Sequence, residues 1–297
     1  MLNISGIFPP VPTAFENNDQ LALDKYQGNL KRLSQYDLAG FLILGSNGEM
    51  VMLSGEEKRQ IFVAAREAIP SDKIMLAGTG MQSTVETIRL SKMAEKSGAD
   101  AVLVLNPSYF KGLFTKEALV NHYYKVADAM QIPVIMYNMP GCSGVDMGAD
   151  IIIECSQHEN IIGLKDSGGY VAKMGEILEG AKPGFQILAG GAGFLLPALS
   201  IGAVGGILAL ANIAPQQCLD ILKYFKAGEM SKARELQHKM IPVANAVTRD
   251  GGMPALKAAM DHLGMYGGNC RQPIMTISKE KKSRLVELLD KYEIGIN

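Results

Sequence analysis

The chain has 297 residues, 47% of them hydrophobic and 20% charged, with a formal net charge of -1. That is ample material for one large core. Near-neutral charge without a basic block excludes a nucleic-acid footprint, and glycine or proline interrupts the apolar stretches before membrane length, so the expected partner is a small molecule, with no nucleic acid and no membrane.

From Met1 the chain runs into Ile4-Ser5-Gly6-Ile7-Phe8-Pro9-Pro10 with no leader pattern, which predicts a cytoplasmic location. A short strand is predicted over 6–8. Further runs rich in Val, Ile and Leu follow at 40–44, 73–77, 101–105, 134–137, 161–165, 186–189 and 205–208, with helix-period segments between them. Continuous apolar strands alternating with amphipathic helices imply a parallel sheet covered by helices. Eight such units predict an α/β fold, a closed (β/α)8 TIM barrel over 1–212 that carries the active site. Ser54 with Glu57, and Ser83 with Glu86, are capping-box patterns ahead of apolar helical faces. Beyond about 212 the strand signals stop. Helical patterns at 215–225, 230–246, 254–262 and 278–290 predict a C-terminal helical region, 213–297, that covers the barrel or builds an oligomer contact and carries no catalytic constellation.

Cys142, Cys155, Cys218 and Cys270 form no C-x-x-C pair, and His122, His158, His238 and His262 show no metal-ligand spacing. Reduced thiols and no metal are expected, and no cofactor is called for. His158 precedes a strand and reads as a turn-surface histidine without chemistry.

In such a barrel the reactive groups gather at the carboxyl ends of the strands. Lys165 ends the apolar run Ile161-Ile162-Gly163-Leu164 and leads into Asp166-Ser167-Gly168-Gly169. Burial disfavours the charged form of an amine, and a neutral amine attacks carbonyls, so this position suits a Schiff-base nucleophile. The same lysine also fits a side chain that snorkels to water or pairs with Asp166. Gly45-Ser46-Asn47-Gly48-Glu49, after the second strand, either presents backbone N–H groups to a carboxylate or is an ordinary polar turn. Tyr137, at the end of the fifth strand, is either a capped core tyrosine or a proton shuttle. Imine formation from a 2-oxo acid needs an amine, a proton shuttle and a carboxylate holder; Lys165, Tyr137 and the Ser46/Asn47 turn supply all three.

These residues resemble the dihydrodipicolinate synthase and N-acetylneuraminate lyase superfamily of pyruvate-dependent class I aldolases, along nearly the whole chain. The glycine-flanked carboxylate motif matches Gly45 to Glu49, the tyrosine motif Tyr137-Asn138-Met139-Pro140, and the imine lysine Lys165. The resemblance implies a barrel with C-terminal helices, a homotetramer built as a dimer of dimers, and a tyrosine supplied by the neighbouring subunit, matched by Tyr109. It also implies a relay from Tyr137 through Ser46 to Tyr109. Where the synthases place an arginine for their second substrate, this chain has Cys142, which offers no bidentate charged fork. Lys165-Asp166-Ser167-Gly168-Gly169, Gly202-Ala203-Val204-Gly205-Gly206, Leu236-Gln237-His238 and Tyr266-Gly267-Gly268 are similar to 4-hydroxy-2-oxoglutarate aldolases. The implied reaction cleaves a 4-hydroxy-2-oxo acid to pyruvate and an aldehyde, glyoxylate for the glutarate. The substrate-binding set is then Ser46, Asn47, Gly48, Cys142, Ser143 and Ser167, with Gly190 and Ile207 shaping the pocket wall.

Other readings stay open on the sequence. Gly190-Gly191-Ala192-Gly193 could cradle a phosphate, although no Arg or Lys lies between Gly190 and Ala211. Gly78-Thr79-Gly80 lacks the third glycine of a dinucleotide fingerprint. A synthase, a 2-keto-3-deoxy sugar-acid aldolase or dehydratase, a neuraminate-lyase-like enzyme and a barrel that only binds a 2-oxo acid complete the alternatives.

Overall fold

In the computed structural model, which describes residues 1–295, eight parallel strands form one sheet: β1 Gly6–Phe8, β2 Gly40–Ile43, β3 Ile74–Gly78, β4 Ala101–Leu105, β5 Val134–Asn138, β6 Ile161–Asp166, β7 Gln186–Ala189 and β8 Gly205–Ile207. Hydrogen-bonded neighbours run β1-β8-β7-β6-β5-β4-β3-β2. The remaining seam is bridged by the amide of Leu42 donating to Pro9 O at 3.0 Å and that of Val11 donating to Leu42 O at 3.0 Å, which curls the sheet into a barrel. Lys73, predicted to open β3, instead lies before it and donates its amine to the carbonyls of Tyr36 and Leu38 at 3.1 and 2.8 Å.

The strands are apolar except at their ends because both faces are buried. Phe8, Leu42, Leu76, Ile135 and Leu188 fill the barrel interior, each fully buried and worth about 1.5–3 kcal/mol against exposure. The alternate residues, such as Phe41, Met75, Val134 and Met136, pack outward beneath the helices. Those helices are α1 Leu23–Leu33, α2 Gly55–Ala68, α3 Thr84–Lys96, α4 Lys116–Asp128, the single turn α5 Pro140–Ser143, α6 Ala149–Ser156, α7 Val171–Gly180, α8 Leu195–Ser200 and α9 Pro215–Lys226. In α1 the buried stripe is Tyr26, Asn29, Leu30 and Leu33, the spacing of one helical face. Ser54 caps α2 with both arms of the capping box in place. At α3 only the Ser83 arm forms, because Glu86 turns to Arg89, whose Nε donates to it at 2.9 Å.

Helix α9 follows β8 and packs against both β1 and the next helix in the chain, so it joins the barrel to the helices that follow. Three helices lie beyond it: α10 Met230–Ala246, α11 Gly252–His262 and α12 Lys279–Lys291. Their corner bends back over the carboxyl ends of the strands.

One irregularity sets the orientation of the site. Between β5 and β6, Val134 pairs with Ile161 but Ile135 pairs with Gly163, so Ile162 is an extra residue in β6. Strand side chains alternate between faces, and the extra residue brings Lys165 beside Tyr137. Without it Lys165 would pair with Asn138 and point out under the helices. Gly163 takes an inner-face place with no room for a side chain: a Cβ there would lie 2.4 Å from Gln186 O.

Candidate active site

Lys165 and Tyr137 stand side by side at the mouth of the barrel, each 4% exposed, with the Lys165 Nζ 4.1 Å from the Tyr137 ring centroid. The ring's electron-rich face favours a cation at that distance. Lys165 makes no ion pair or hydrogen bond among the described residues, and the expected alternative pairing with Asp166 is absent. The carboxylate of Asp166 points to the outer face. It accepts from Asn138 Nδ2 at 3.0 Å and from the amide of Gly168 at 2.7 Å, and lies 3.6 Å from Lys173 Nζ. Asn138 and Lys173 also donate to Asp146. Partial burial works to raise Asp146, but these hydrogen bonds hold its carboxyl below the usual range.

The turn after β2 brings Ser46 to this pair, its Oγ 3.4 Å from Tyr137 Oη. Left-handed backbone brackets the turn, Leu44 at φ 56° and Glu49 at φ 54°, a conformation non-glycine residues adopt at a cost of about 1 kcal/mol or more each. Something must hold it, and Glu49 does. Its buried carboxylate accepts from Lys257 Nζ of α11 at 2.7 Å and from the amide of Arg271 at 2.8 Å. The amides of Ser46 and Asn47, at the open end of the turn, make no hydrogen bond among the described residues.

A cavity of about 810 Å³ opens above the lysine. Ser46, Asn47, Tyr137, Cys142, Lys165, Ser167, Gly190 and Ile207 all line it. A second hollow, about 260 Å³, adjoins it along Ser46, Tyr137 and Cys142. Gly190 leaves no room for a side chain, because a Cβ would fall 2.7 Å from Asp166 O and 2.8 Å from Ser167 Cα. Its amide donates to Asp166 O at 2.7 Å, and the amide of Ser167 donates to Asn138 O at 2.8 Å, which ties the ends of β5, β6 and β7 together.

Three of the expected site residues do not join this group. Gly48 lies beneath the turn: its amide donates to Gly45 O at 2.9 Å and its carbonyl accepts from Thr13 Oγ1 at 2.6 Å, so neither is presented to the cavity. Ser143 is 3% exposed and spends its hydroxyl on Met139 O and Val145 O, closing α5. Tyr109 is 78% exposed at the surface, edge-on to Phe110, and does not line its own chain's cavity.

The sequence reading missed the wall contributed by the corner between α10 and α11, including Asn245, Thr248 and Arg249. Nothing in the helical periodicity of that region marks it as facing the barrel mouth. It also missed the outer-face network, although Asn138 and Asp166 directly follow Tyr137 and Lys165.

Among the described residues no cluster of His, Cys, Asp and Glu could hold a metal ion, and no helix is long and apolar enough to cross a membrane. Burial pushes the Cys155 and Cys218 thiols up to about 12 and that of Cys270 to about 11, so all three stay protonated. His158 has no place in the cavity; its Nε2 lies 3.0 Å from Asp128.

Residues 3–292 match the model of the dihydrodipicolinate synthetase family. A probable mitochondrial 4-hydroxy-2-oxoglutarate aldolase of Emericella nidulans is 37% identical over 289 residues, 96% of this chain and 93% of that one. A 4-hydroxy-tetrahydrodipicolinate synthase of Methanoculleus marisnigri is 32% identical over 287 residues, 96% of this chain and 98% of that one. Among solved structures, a prophage protein of E. coli K12 from the dihydrodipicolinic acid synthase family, in complex with pyruvate, superposes with a TM-score of 0.93 at 28% identity, covering 99% of this chain and 100% of the other. By barrel, family model and relatives alike, the chain belongs to the dihydrodipicolinate synthetase family and is an enzyme of its lyase and aldolase class.

Proposed function

We propose that this enzyme is a Schiff-base aldolase that cleaves a 4-hydroxy-2-oxo acid, with 4-hydroxy-2-oxoglutarate as the substrate and pyruvate and glyoxylate as products. The observation that carries the reading is the inner-face pair of Lys165 and Tyr137, with Ser46 Oγ beside it and, among the described residues, no carboxylate on the cavity wall to hold the amine in its charged form. The 37% identical Emericella relative, named as such an aldolase, and the neighbour that holds pyruvate support it.

In this reading the substrate carboxylate sits on the free amides of Ser46 and Asn47, which orients its 2-oxo carbon toward Lys165. The neutral Nζ adds to C2, and the resulting carbinolamine loses water to give a protonated imine. Tyr137 Oη gives its proton to the carbinolamine hydroxyl that departs as water, and the phenolate so formed takes the C4 hydroxyl proton. The C3–C4 bond breaks, its electron pair moves toward the imine nitrogen, and the aldehyde leaves an enamine of pyruvate on Lys165. Protonation at C3 and hydrolysis then release pyruvate and restore the amine. The Ser46 to Tyr137 distance of 3.4 Å is long for a hydroxyl pair, and such contacts tighten when substrate binds. Ser167 and Cys142 face the distal half of the substrate. Exposed Tyr109 serves as the outer end of the relay only if a neighbouring subunit receives it, and a homotetramer is the assembly proposed with it. A cytoplasmic location belongs to the same proposal.

The test is mass spectrometry of borohydride-treated protein incubated with 4-hydroxy-2-oxoglutarate, with glyoxylate assayed in parallel. A pyruvyl adduct on Lys165 with glyoxylate released is the expected result, and Lys165→Ala abolishes both. An adduct that survives in Lys165→Ala sinks the imine assignment. An adduct on Lys165 without glyoxylate overturns the substrate, and condensation of pyruvate with aspartate semialdehyde would then identify a synthase.

A further inference from the structure

The cavity wall carries two cations among the described residues, Lys165 at its floor and Arg249 at its rim, and no Asp or Glu lines it. A wall with that charge pattern admits anions. The two cations stand on separate elements, one at the end of β6 and the other in the corner between α10 and α11. Cys142 and Ser167, also on the wall, offer no cationic group to hold a second carboxylate.

The corner gives Arg249 a defined base. Val247 is buried, Thr248 Oγ1 donates to Ala244 O at 2.6 Å, and the amide of Asp250 donates back to Asn245 O at 2.9 Å. Behind it a Cβ on Gly251 would lie 2.4 Å from that of Ala255, so the turn packs tightly onto the start of α11. The arginine side chain itself is little engaged. Its Nε donates to Asp250 at 3.3 Å, in a pair whose side chains are 75% and 60% exposed, and its two terminal nitrogens make no hydrogen bond among the described residues. A single long contact between exposed neighbours is weakly held. The unused edge of the guanidinium is the edge that takes a carboxylate in a two-point fork.

We infer that Arg249 is a specificity-determining residue that binds the distal carboxylate of a dicarboxylic 2-oxo acid, with the Ser46/Asn47 amides holding the proximal one. The inference rests on reading the cavity as a 2-oxo acid site. It makes the enzyme selective for diacids through a residue outside the barrel strands, with Cys142 and Ser167 left to shape the pocket beside the distal half of the substrate. Charge-assisted hydrogen bonds of this kind correspond to discrimination of about ten- to a hundredfold.

The experiment is calorimetric titration of the full-length enzyme with two non-cleavable probes of equal chain length, 2-oxoglutarate and 2-oxopentanoate, which differ in the distal carboxylate. Wild type is expected to bind the diacid at least tenfold more tightly. In Arg249→Gln that ratio collapses to within about threefold, whereas Arg249→Lys, which keeps the charge and loses the fork, retains an intermediate ratio. Circular dichroism of both variants should match wild type, since the replaced side chain is exposed. Equal affinity of wild type for the two probes, or an undiminished ratio in Arg249→Gln, overturns the inference. Borohydride trapping of each probe on Lys165 is read separately: diacid selectivity that depends on Arg249 but leaves no adduct sustains this inference and strikes the Schiff-base reading alone.

Discussion

Replacing Lys257 by methionine is expected to destabilise the fold far more than its distance from the reactive amine suggests. The Lys257 and Glu49 side chains are 1% and 0% exposed, with Nζ and Oε1 2.7 Å apart. Lys257→Met keeps the apolar stem that packs near Phe15 but leaves the Glu49 carboxylate buried, with the Arg271 amide as its remaining donor, and strands the carbonyl of Asn269. Breaking a buried pair from one side costs about 3–5 kcal/mol, because the surviving charge has no counter-charge and no water. For a chain of this size, at about 2 °C per kcal/mol, the thermal midpoint should fall by about 6–10 °C. Removing both charges in Glu49→Leu/Lys257→Met should cost less than the two single losses combined, with a coupling of about 2–3 kcal/mol. Differential scanning calorimetry of the four proteins at neutral pH measures both quantities. Single variants that melt within about 2 °C of wild type, or strict additivity, would refute the claim that this pair clamps the strained turn carrying Ser46 and Asn47.

Tyr137→Phe should lower kcat by about a hundredfold or more while Lys165 still traps pyruvate, since the substitution removes the proton carrier but keeps the ring beside the amine; steady-state kinetics with an intact adduct checks it, and a near-wild-type rate removes Tyr137 from the proton pathway. Burial lowers His122 from 6.5 to about 4, its Nδ1 lying 2.9 Å from Thr84 Oγ1 and its Nε2 without a partner, so the unfolded chain binds the proton first as pH falls. The stability held by the neutral ring is therefore complete above pH 6.5 and is lost progressively toward pH 4, by about 3 kcal/mol at most. Urea midpoints followed across that window should fall less steeply for His122→Gln than for wild type, and parallel curves would count against it.

The barrel was legible because eight short runs, apolar except at their ends, alternate with helix-period segments, the pattern of a parallel sheet buried on both faces. Lys165, Tyr137, Ser46 and Asn47 were legible by position, because they lie at or just past the carboxyl ends of strands, where this fold gathers reactive groups. Gly48 and Ser143 were placed in the pocket by proximity in sequence, and local hydrogen bonds turned both away: one into the turn, the other into the cap of α5. Tyr109 lies on an exposed loop whose direction no periodicity fixes. The contribution of the α10–α11 corner depends on how the C-terminal helices dock across the barrel mouth, a long-range contact that composition does not encode.

The least legible feature has the largest chemical consequence. An apolar run such as Ile161-Ile162-Gly163-Leu164 reads identically with or without a bulge, yet the bulge decides on which face the amine emerges. Beyond the bulge, regular alternation puts Lys165 and its neighbour in sequence on opposite faces. Tyr137 and Lys165 face inward, while Asn138 and Asp166, the next pair in register, face outward, where Asp166 is bound by Asn138, Lys173 and the Gly168 amide. A carboxylate paired with a nucleophilic amine would favour its charged form. Here the same network that fastens the strand ends also occupies that carboxylate. Among the described residues the lysine has no counter-charge, and the neighbouring carboxylate is engaged on the other face of the strand.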